Sequence, residues 1–295
     1  MTDSLPLVSV LIANYNNGAF LKEAVNSVLN QTYTNWEIII VDDASTDKSN
    51  SIIKRMQRAD NRIKGFFNST NMKVGATKSK ATNLANGAIC AILDPDDSLE
   101  PTALERHVLC HRKHPHSSVV GSNYYTCDEN LKIIEKNKGL YRPKHYTSYL
   151  ASQGGLHHFW SFKKEQYDKT SGFDAFFILA EDQDLFYKME EVGKIEVLDE
   201  PLYYYRTHGN AISQGDKVSL AYAYHIFAQL DALNRRTAKT SEASRVKRAI
   251  LEFMDWGFPK IEKDFRIKLL AGILKRFPQL VCKRSVLSGL YGLAK

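Results

Sequence analysis

The chain has 295 residues, 43% hydrophobic and 25% charged, which excludes a disordered protein and allows one large α/β domain with an appendage, or two small domains. Its net charge of +7 is unevenly spread: 16 basic against 6 acidic residues from Lys217 onward, and 24 against 27 before it. A nucleic-acid enzyme carries its positive field around its active site, so this distribution argues against nucleic acid and assigns any anionic surface to the C-terminal part.

Residues 8–13 form an apolar run that ends in Asn14-Tyr15-Asn16-Asn17-Gly18, the pattern of a buried strand feeding a loop. Phe20, Leu21, Ala24, Val25, Val28 and Leu29 then recur at helical spacing. Residues 37–41 predict a second strand, closed by Asp42-Asp43-Ala44-Ser45-Thr46-Asp47, and Ile52, Ile53 and Met56 mark one face of a helix. Strands are expected at 63–67 and 88–93 with a helix at 77–85 between them, then a helix at 104–114 and a strand at 119–125. After Tyr141-Arg142-Pro143 the pattern is less regular: a strand at 159–163, a helix at 182–192, and short strands at 195–198 and 202–205. From about Lys217 it is helical, broken at Pro259 and Pro278.

Alternating strands and helices argue for βαβ units and a mainly parallel sheet, whose ligands collect at the carboxyl ends of the strands. The polar clusters at 14–16, 42–43 and 94–97 each follow a predicted strand, so three loops are expected to converge on one crevice. Cys90, Cys110, Cys127 and Cys282 are far apart and form no C-x-x-C pair, which suits a reducing compartment. With no signal-peptide pattern and no run of 18 apolar residues, the chain reads as cytoplasmic.

Asp94-Pro95-Asp96-Asp97 packs three carboxylates into four residues. Like charges that close repel unless a cation neutralises them, and hard oxygen ligands suit Mg²⁺ or Mn²⁺. The alternative is a solvated acidic turn capping the helix that starts near Pro101. Asp43 can accept a hydrogen bond from a ribose hydroxyl or a base N–H; its alternative is to cap the following helix, for which Ser45, Thr46 and Asp47 also offer groups. Glu181-Asp182-Gln183-Asp184 opens a helix, where the dipole favours acids, and one such carboxylate near a sugar acceptor can act as general base. Arg206 and His208 can neutralise a diphosphate or ligate a metal. His157-His158 reads as structural or exposed, and His107, His111, His114 and His116 read as surface residues.

Taken in order, these segments resemble the family 2 glycosyltransferases of GT-A fold, of the bacterial surface-polysaccharide type. The resemblance spans Pro6 to Ser213 and rests on Val8-Ser9-Val10-Leu11-Ile12-Ala13-Asn14-Tyr15-Asn16, Ser27-Val28-Leu29-Asn30-Gln31-Thr32-Tyr33 and Ile40-Val41-Asp42-Asp43-Ala44-Ser45-Thr46-Asp47. It continues through Leu93-Asp94-Pro95-Asp96-Asp97, Gly172-Phe173-Asp174 and Glu181-Asp182-Gln183-Asp184-Leu185. It implies a Rossmann-like, mostly parallel nucleotide-binding sheet in a catalytic domain at 1–216, followed by a basic, mainly helical extension at 217–295. It further implies an inverting transfer from a nucleotide-diphosphate sugar, UDP-linked in the first instance, to a hydroxyl of a glycan or lipid-linked saccharide, with Mn²⁺ or Mg²⁺ on the diphosphate.

Position by position, the resemblance makes Asp43 the contact to the base, with Ala13 and Tyr15 lining the nucleotide pocket. Asp96 lies nearer the sugar and Asp97 is the direct metal ligand. Asp182 is the catalytic base, and Arg206 and His208 form the basic element over the diphosphate, with His208 on the metal. Lys78 stands where relatives carry Arg in an N-x-G-x-x-x-A-R-N stretch, which replaces a bidentate fork by a point charge.

Two other functions remain open to the sequence. A sugar nucleotidyltransferase also uses metal-binding aspartates, but no glycine-rich phosphate loop follows the first strand. A nucleotide-sugar-binding protein without transferase activity does not need Asp182, Asp97 and His208 together. In the tail, residues 265–274 and 280–293 mix apolar residues with Lys268, Lys275, Arg276, Lys283 and Arg284. Such segments either lie on an anionic membrane, at the inner face of the cytoplasmic membrane, or pack on the catalytic domain or a second subunit of a homo-oligomer.

Overall fold

A computed structural model describes residues 5–137, 148–150, 156, 158–208, 218–236 and 240–278. The chain divides into two compact units. The first consists of Met1–Tyr141, Gly155–Ile178 and Val192–Gly209; the second consists of Arg142–Gly154, Leu179–Glu191 and Asn210–Lys295.

In the first unit, β1 (Val8–Asn14), β2 (Trp36–Asp42), β3 (Ile63–Phe67) and β4 (Ile89–Ile92) alternate with helices α1 (Leu21–Leu29), α2 (Ser49–Ala59) and α3 (Lys73–Leu84). The four strands pair in parallel in the order β3-β2-β1-β4. Every residue of β2 is buried, as a central parallel strand covered on both faces requires. Leu21, Ala24, Val25 and Val28 of α1 recur at three- and four-residue intervals and enter the core with Val10, Ile12, Ile38 and Ile40. The chain steps outward from β1 to β3 and then returns to place β4 on the other side of β1. That reversal opens a crevice beyond the carboxyl ends of β1 and β4.

The sheet continues through β8 (Trp160–Lys163), β6 (Ser117–Cys127), β9 (Lys194–Arg206) and β5 (Ser98–Leu99), with β7 (Ile133–Asn137) paired to β6. β8 joins β4 and β6 antiparallel, whereas β6 and β9 run parallel. Helix α4 (Ala103–Lys113) and the short α5 (Lys164–Tyr167) complete this unit. The α/β architecture with a mostly parallel sheet is the fold expected from the sequence, with antiparallel pairings at β8, β7 and β5. Two expected short strands are one, β9; its proline at 201 has no N–H to give, and the register with β6 shifts beside its partner Asn123.

His107 and His111 correct the sequence reading, being 1% and 2% exposed. The Ser161 hydroxyl lies 2.8 Å from His107 Nδ1 and 3.0 Å from His111 Nε2, and Ser117 Oγ lies 3.0 Å from His111 Nδ1. Hydroxyls from β8 and β6 thus supply partners inside the fold that a helix read alone cannot reveal. Burial holds the His111 imidazole down to about 3 and His107 well below the usual range.

The second unit carries α6 (Glu181–Val192, up to Glu191), α7 (Val218–Arg235), α8 (Thr240–Trp256) and α9 (Lys263–Arg276). α6 and α7 are joined by charge: Arg235 reaches Asp184 and Glu191, and Arg236 reaches Glu190 at 2.9 Å. Compactness therefore groups residues on both sides of position 216. Among the described residues, Cys90, Cys110 and Cys127 are buried and form no disulfide. No helix among the described residues is long and apolar enough to cross a membrane. Residues 280–293, Cys282 and His157 lie outside the described residues.

Candidate functional site

At the carboxyl end of β1, Asn14 is fully buried and donates to Asp42 Oδ1 at 2.8 Å, locking the first two loops together. Asn16 adopts a left-handed backbone (φ 55°) and its side-chain Oδ1 accepts the Thr46 N–H at 2.8 Å. Ala13 is half-buried at this strand end, and Tyr15 stands 47% exposed at the rim.

Asp43 is 3% exposed and accepts three hydrogen bonds, from Asn68 Nδ2 (2.8 Å) and from the backbone N–H groups of Met72 (2.8 Å) and Lys73 (2.9 Å). It therefore holds the start of α3, thirty residues on, and not the adjacent helix, whose capping was the alternative left open by the sequence. Gly75 follows in the same helix, where an added Cβ would come within 2.7 Å of the Asp174 carbonyl oxygen. Only glycine lets α3 approach the 172–177 loop that closely.

One turn further along α3, Lys78 is 7% exposed and its Nζ lies 3.6 Å from Asp94 Oδ1. Burial alone would raise the Asp94 carboxyl, but Lys78 and His158 outweigh it and hold the group below its usual range. His158 Nδ1 is 3.6 Å from Asp94 Oδ2. Its ring lies between those of Tyr203 and Tyr205, with centroids 5.1 and 5.2 Å away and planes within 12° and 15° of parallel.

Asp97 is 2% exposed. Its Oδ1 accepts the Arg206 backbone N–H at 2.7 Å and its Oδ2 accepts the Tyr203 hydroxyl at 2.8 Å. Burial, with Asp96 and Asp94 as like charges, pushes this carboxyl well above its usual range in spite of those bonds. One ligand atom each from Asp94, Asp97 and His158 lies within 4.8 Å of the others. Two carboxylates and an imidazole converging around a deficit of positive charge fit a divalent cation.

The resemblance puts His208 and Asp97 on one metal. The carboxylate that His208 meets is Asp96, at 2.9 Å from Nε2, while its ring packs against Phe20 at 5.0 Å. Arg206 is 3% exposed, and its guanidinium is committed to the protein. Nε donates to the Asp96 carbonyl (2.6 Å), Nη2 to Glu23 (2.5 Å) and Nη1 to the Glu129 carbonyl, with the Phe20 ring 4.7 Å away. Arg206 thus braces the aspartate loop from beneath. His158 and Tyr203 joined the site without a sequence signal: each lies in no motif and becomes legible only through pairing of β8 and β9 with their neighbours.

Asp182 opens α6 in the second unit, and its Oδ1 accepts the Gln183 N–H at 2.7 Å. Two residues on, buried Asp184 pairs with Lys188 at 2.6 Å.

A family model described as "Glycosyl transferase family 2" matches residues 9–170. The chain is 29% identical over 88% of its length to the chondroitin synthase of Escherichia coli, of which it covers 37%. It is 32% identical to an uncharacterized glycosyltransferase of Methanocaldococcus jannaschii, over 75% of this chain and 78% of that one. Among solved structures, residues 1–349 of S. aureus TarS in complex with UDP superpose with a TM-score of 0.60 at 19% identity, covering 97% of this chain and 90% of that one. The mannosyltransferase PcManGT of Pyrobaculum calidifontis, in complex with GDP-Man and Mn²⁺, gives 0.62 at 15% identity, over 99% and 85%. These structural likenesses are of fold, and the fold is GT-A.

Proposed function

The chain belongs to glycosyl transferase family 2, and from that premise we propose that it transfers a sugar from a UDP-linked donor to a hydroxyl of a glycan or lipid-linked saccharide, inverting the anomeric centre. The observation that carries this reading is the acidic cluster Asp94–Asp97 at the reversal of strand order, with Lys78, His158 and His208 each beside one of its carboxylates. The UDP and UDP-GlcNAc complexes of TarS support a uridine donor by likeness of fold.

In this mechanism Asp43 meets the base edge on the side left by its three protein donors, and Ala13 and Tyr15 flank the ring. Asp97 and His208, the latter 2.9 Å from Asp96, would hold Mn²⁺ or Mg²⁺ at this turn. When bound, that ion neutralises the diphosphate leaving group. Lys78 adds positive charge at Asp94, and the His208 imidazole meets Asp96, keeping the crevice able to receive a diphosphate. Asp182 takes the proton from the acceptor hydroxyl as that oxygen bonds to C1 of the sugar and the C1–oxygen bond to the nucleoside diphosphate breaks. Thermal-shift titration with UDP-, GDP- and TDP-sugars plus Mn²⁺ tests the donor. Stabilisation by UDP-sugars with release of UDP supports the reading, and equal indifference to all of them removes it.

For the extension we propose a peripheral contact with anionic membrane. Trp256 is 40% exposed with the Lys260 ammonium 5.8 Å from its ring, and Ile267 is 48% exposed beside Lys268. Aromatic and aliphatic groups rimmed by lysines suit a lipid headgroup layer. Full-length protein should float with phosphatidylserine liposomes and not with phosphatidylcholine alone; equal recovery with both ends the idea.

A further inference from the structure

Asp182 opens α6 in the second unit, and one buried side chain of the same unit runs along that helix. Tyr149 is 0% exposed. Its hydroxyl donates to Gln183 Oε1 at 2.8 Å, in the first turn of α6. Its backbone N–H donates to Glu190 Oε1, about two turns further on, and the Leu150 N–H reaches Glu190 Oε2 at 3.4 Å. Between these anchors its ring packs edge-on to Phe186 and tilted against Tyr187, with centroids 5.6 and 5.4 Å away. Arg236 backs the far anchor, pairing with Glu190 at 2.9 Å and donating to the Tyr187 carbonyl at 2.9 Å.

We propose that Tyr149 is a positioning residue for the general base: through Gln183 it fixes the first turn of α6, and with it the carboxylate of Asp182. This rests on the assignment of Asp182 as base given above.

The physical case is that a base must sit where its helix is weakest. The first four N–H groups of a helix have no partner within it, so the first turn is the part that frays. Here the Gln183 N–H goes to Asp182 Oδ1 at 2.7 Å, so the carboxylate is oriented by the very residue that the Tyr149 hydroxyl holds. Ala180, just before the helix, has a left-handed backbone (φ 56°), which a residue with a Cβ keeps only where its surroundings impose it. A strut anchored at Gln183 and at Glu190 supplies that constraint. The base acts only within hydrogen-bond reach of the acceptor hydroxyl, so a turn free to swing loses catalysis while the helix itself survives.

Tyr149→Phe removes the hydroxyl and keeps both ring contacts and both backbone bonds. Turnover of the full chain is read as UDP release from the UDP-sugar that stabilises it best with Mn²⁺, with melting temperature as the check on folding. Misplacing a catalytic group by about 1 Å can cost about 10²-fold, so kcat should fall by about 10–100-fold while the donor KM stays within about twofold. Tyr149→Phe should add little to Gln183→Leu, because the bond is already gone. Tyr222→Phe, whose ring lies 5.3 Å from Phe253 in the same unit, should stay within about twofold of wild type.

In the Asp182→Asn background, Tyr149→Phe should change residual turnover by less than about twofold, because the group it orients no longer takes the proton. General damage to the unit would instead multiply the two losses. If Tyr149→Phe melts too low, Gln183→Leu carries the same test, since it leaves the Tyr149 ring and backbone bonds in place. Wild-type kcat in folded Tyr149→Phe overturns the proposal, as does a full further loss in the Asp182→Asn background. Intact turnover in Asp182→Asn alone overturns the base assignment, and no UDP release from any donor overturns the transfer reading; both are distinguishable from failure of the Tyr149 proposal.

Discussion

Two buried acids sit at opposite ends of the same parallel sheet, and their surroundings are inverted. Glu37, at the amino end of β2, is 4% exposed and is met by Ser9 Oγ (2.6 Å), Lys64 Nζ (2.7 Å) and the Asn86 backbone N–H (2.7 Å). Burial would raise its carboxyl, yet these donors together hold it below the usual range. Asp97, at the carboxyl end, has two donors and two neighbouring carboxylates, and burial pushes it well up. An acid supplied with enough donors is part of the scaffold. An acid left short of positive charge in the crevice marks a candidate functional site.

The comparison can be broken in several ways. The largest effect is expected away from both acids. Asp182→Asn should reduce turnover by about 10²–10⁴-fold while donor-induced thermal protection persists. Intact turnover removes the base assignment. Next in size, Asp97→Ala should abolish the Mn²⁺-dependent part of donor binding, measured calorimetrically with and without the ion, whereas Glu37→Gln should leave it intact. On stability the ranking reverses. Glu37→Gln strips an acceptor from several donors and should cost about 1–3 kcal/mol in urea unfolding. Asp97→Asn, assayed in EDTA, should be neutral or stabilising, because it relieves like-charge crowding.

The smallest effect sharpens the same contrast through pH. Glu37 is depressed in the folded state, so its contribution is present above the unfolded value of 4.5 and is lost as pH falls. Asp97 is raised, so the native state keeps a proton that the unfolded chain releases above 3.8, and stability falls as pH rises from there. In EDTA, melting temperature against pH should therefore flatten on the alkaline side in Asp97→Asn and on the acid side in Glu37→Gln. Identical profiles for both variants would sink the contrast.

The sequence made the strands of the nucleotide-binding half legible because they are short apolar runs between turn-forming clusters, and β3 is bounded as expected at Ile63–Phe67. It also placed the acidic loop at a strand end. What it could not convey is partnership across distance. Asp43 reaches the start of α3, Tyr203 reaches Asp97 over 106 positions, and Arg206 reaches Glu23 over 183. No local pattern encodes such pairs. β7 escaped notice because all but one of its residues are exposed, which leaves no alternation to read, and β5 is two residues long. His107 and His111 were misjudged because their compensating hydroxyls belong to other strands.

The hold of Asp43 on α3 has an evolutionary consequence. The same carboxylate that we propose meets the base also starts the helix that carries Lys78 toward Asp94. A lineage exploring new bases by changing position 43 would fray that helix and shift the charge opposite the aspartate loop. A change at 43 also removes the acceptor of the Asn68 amide, so positions 43 and 68 are coupled. Base preference should thus evolve by paired steps at 43 and 68, and single replacements at 43 should be rare survivors in any diversified library.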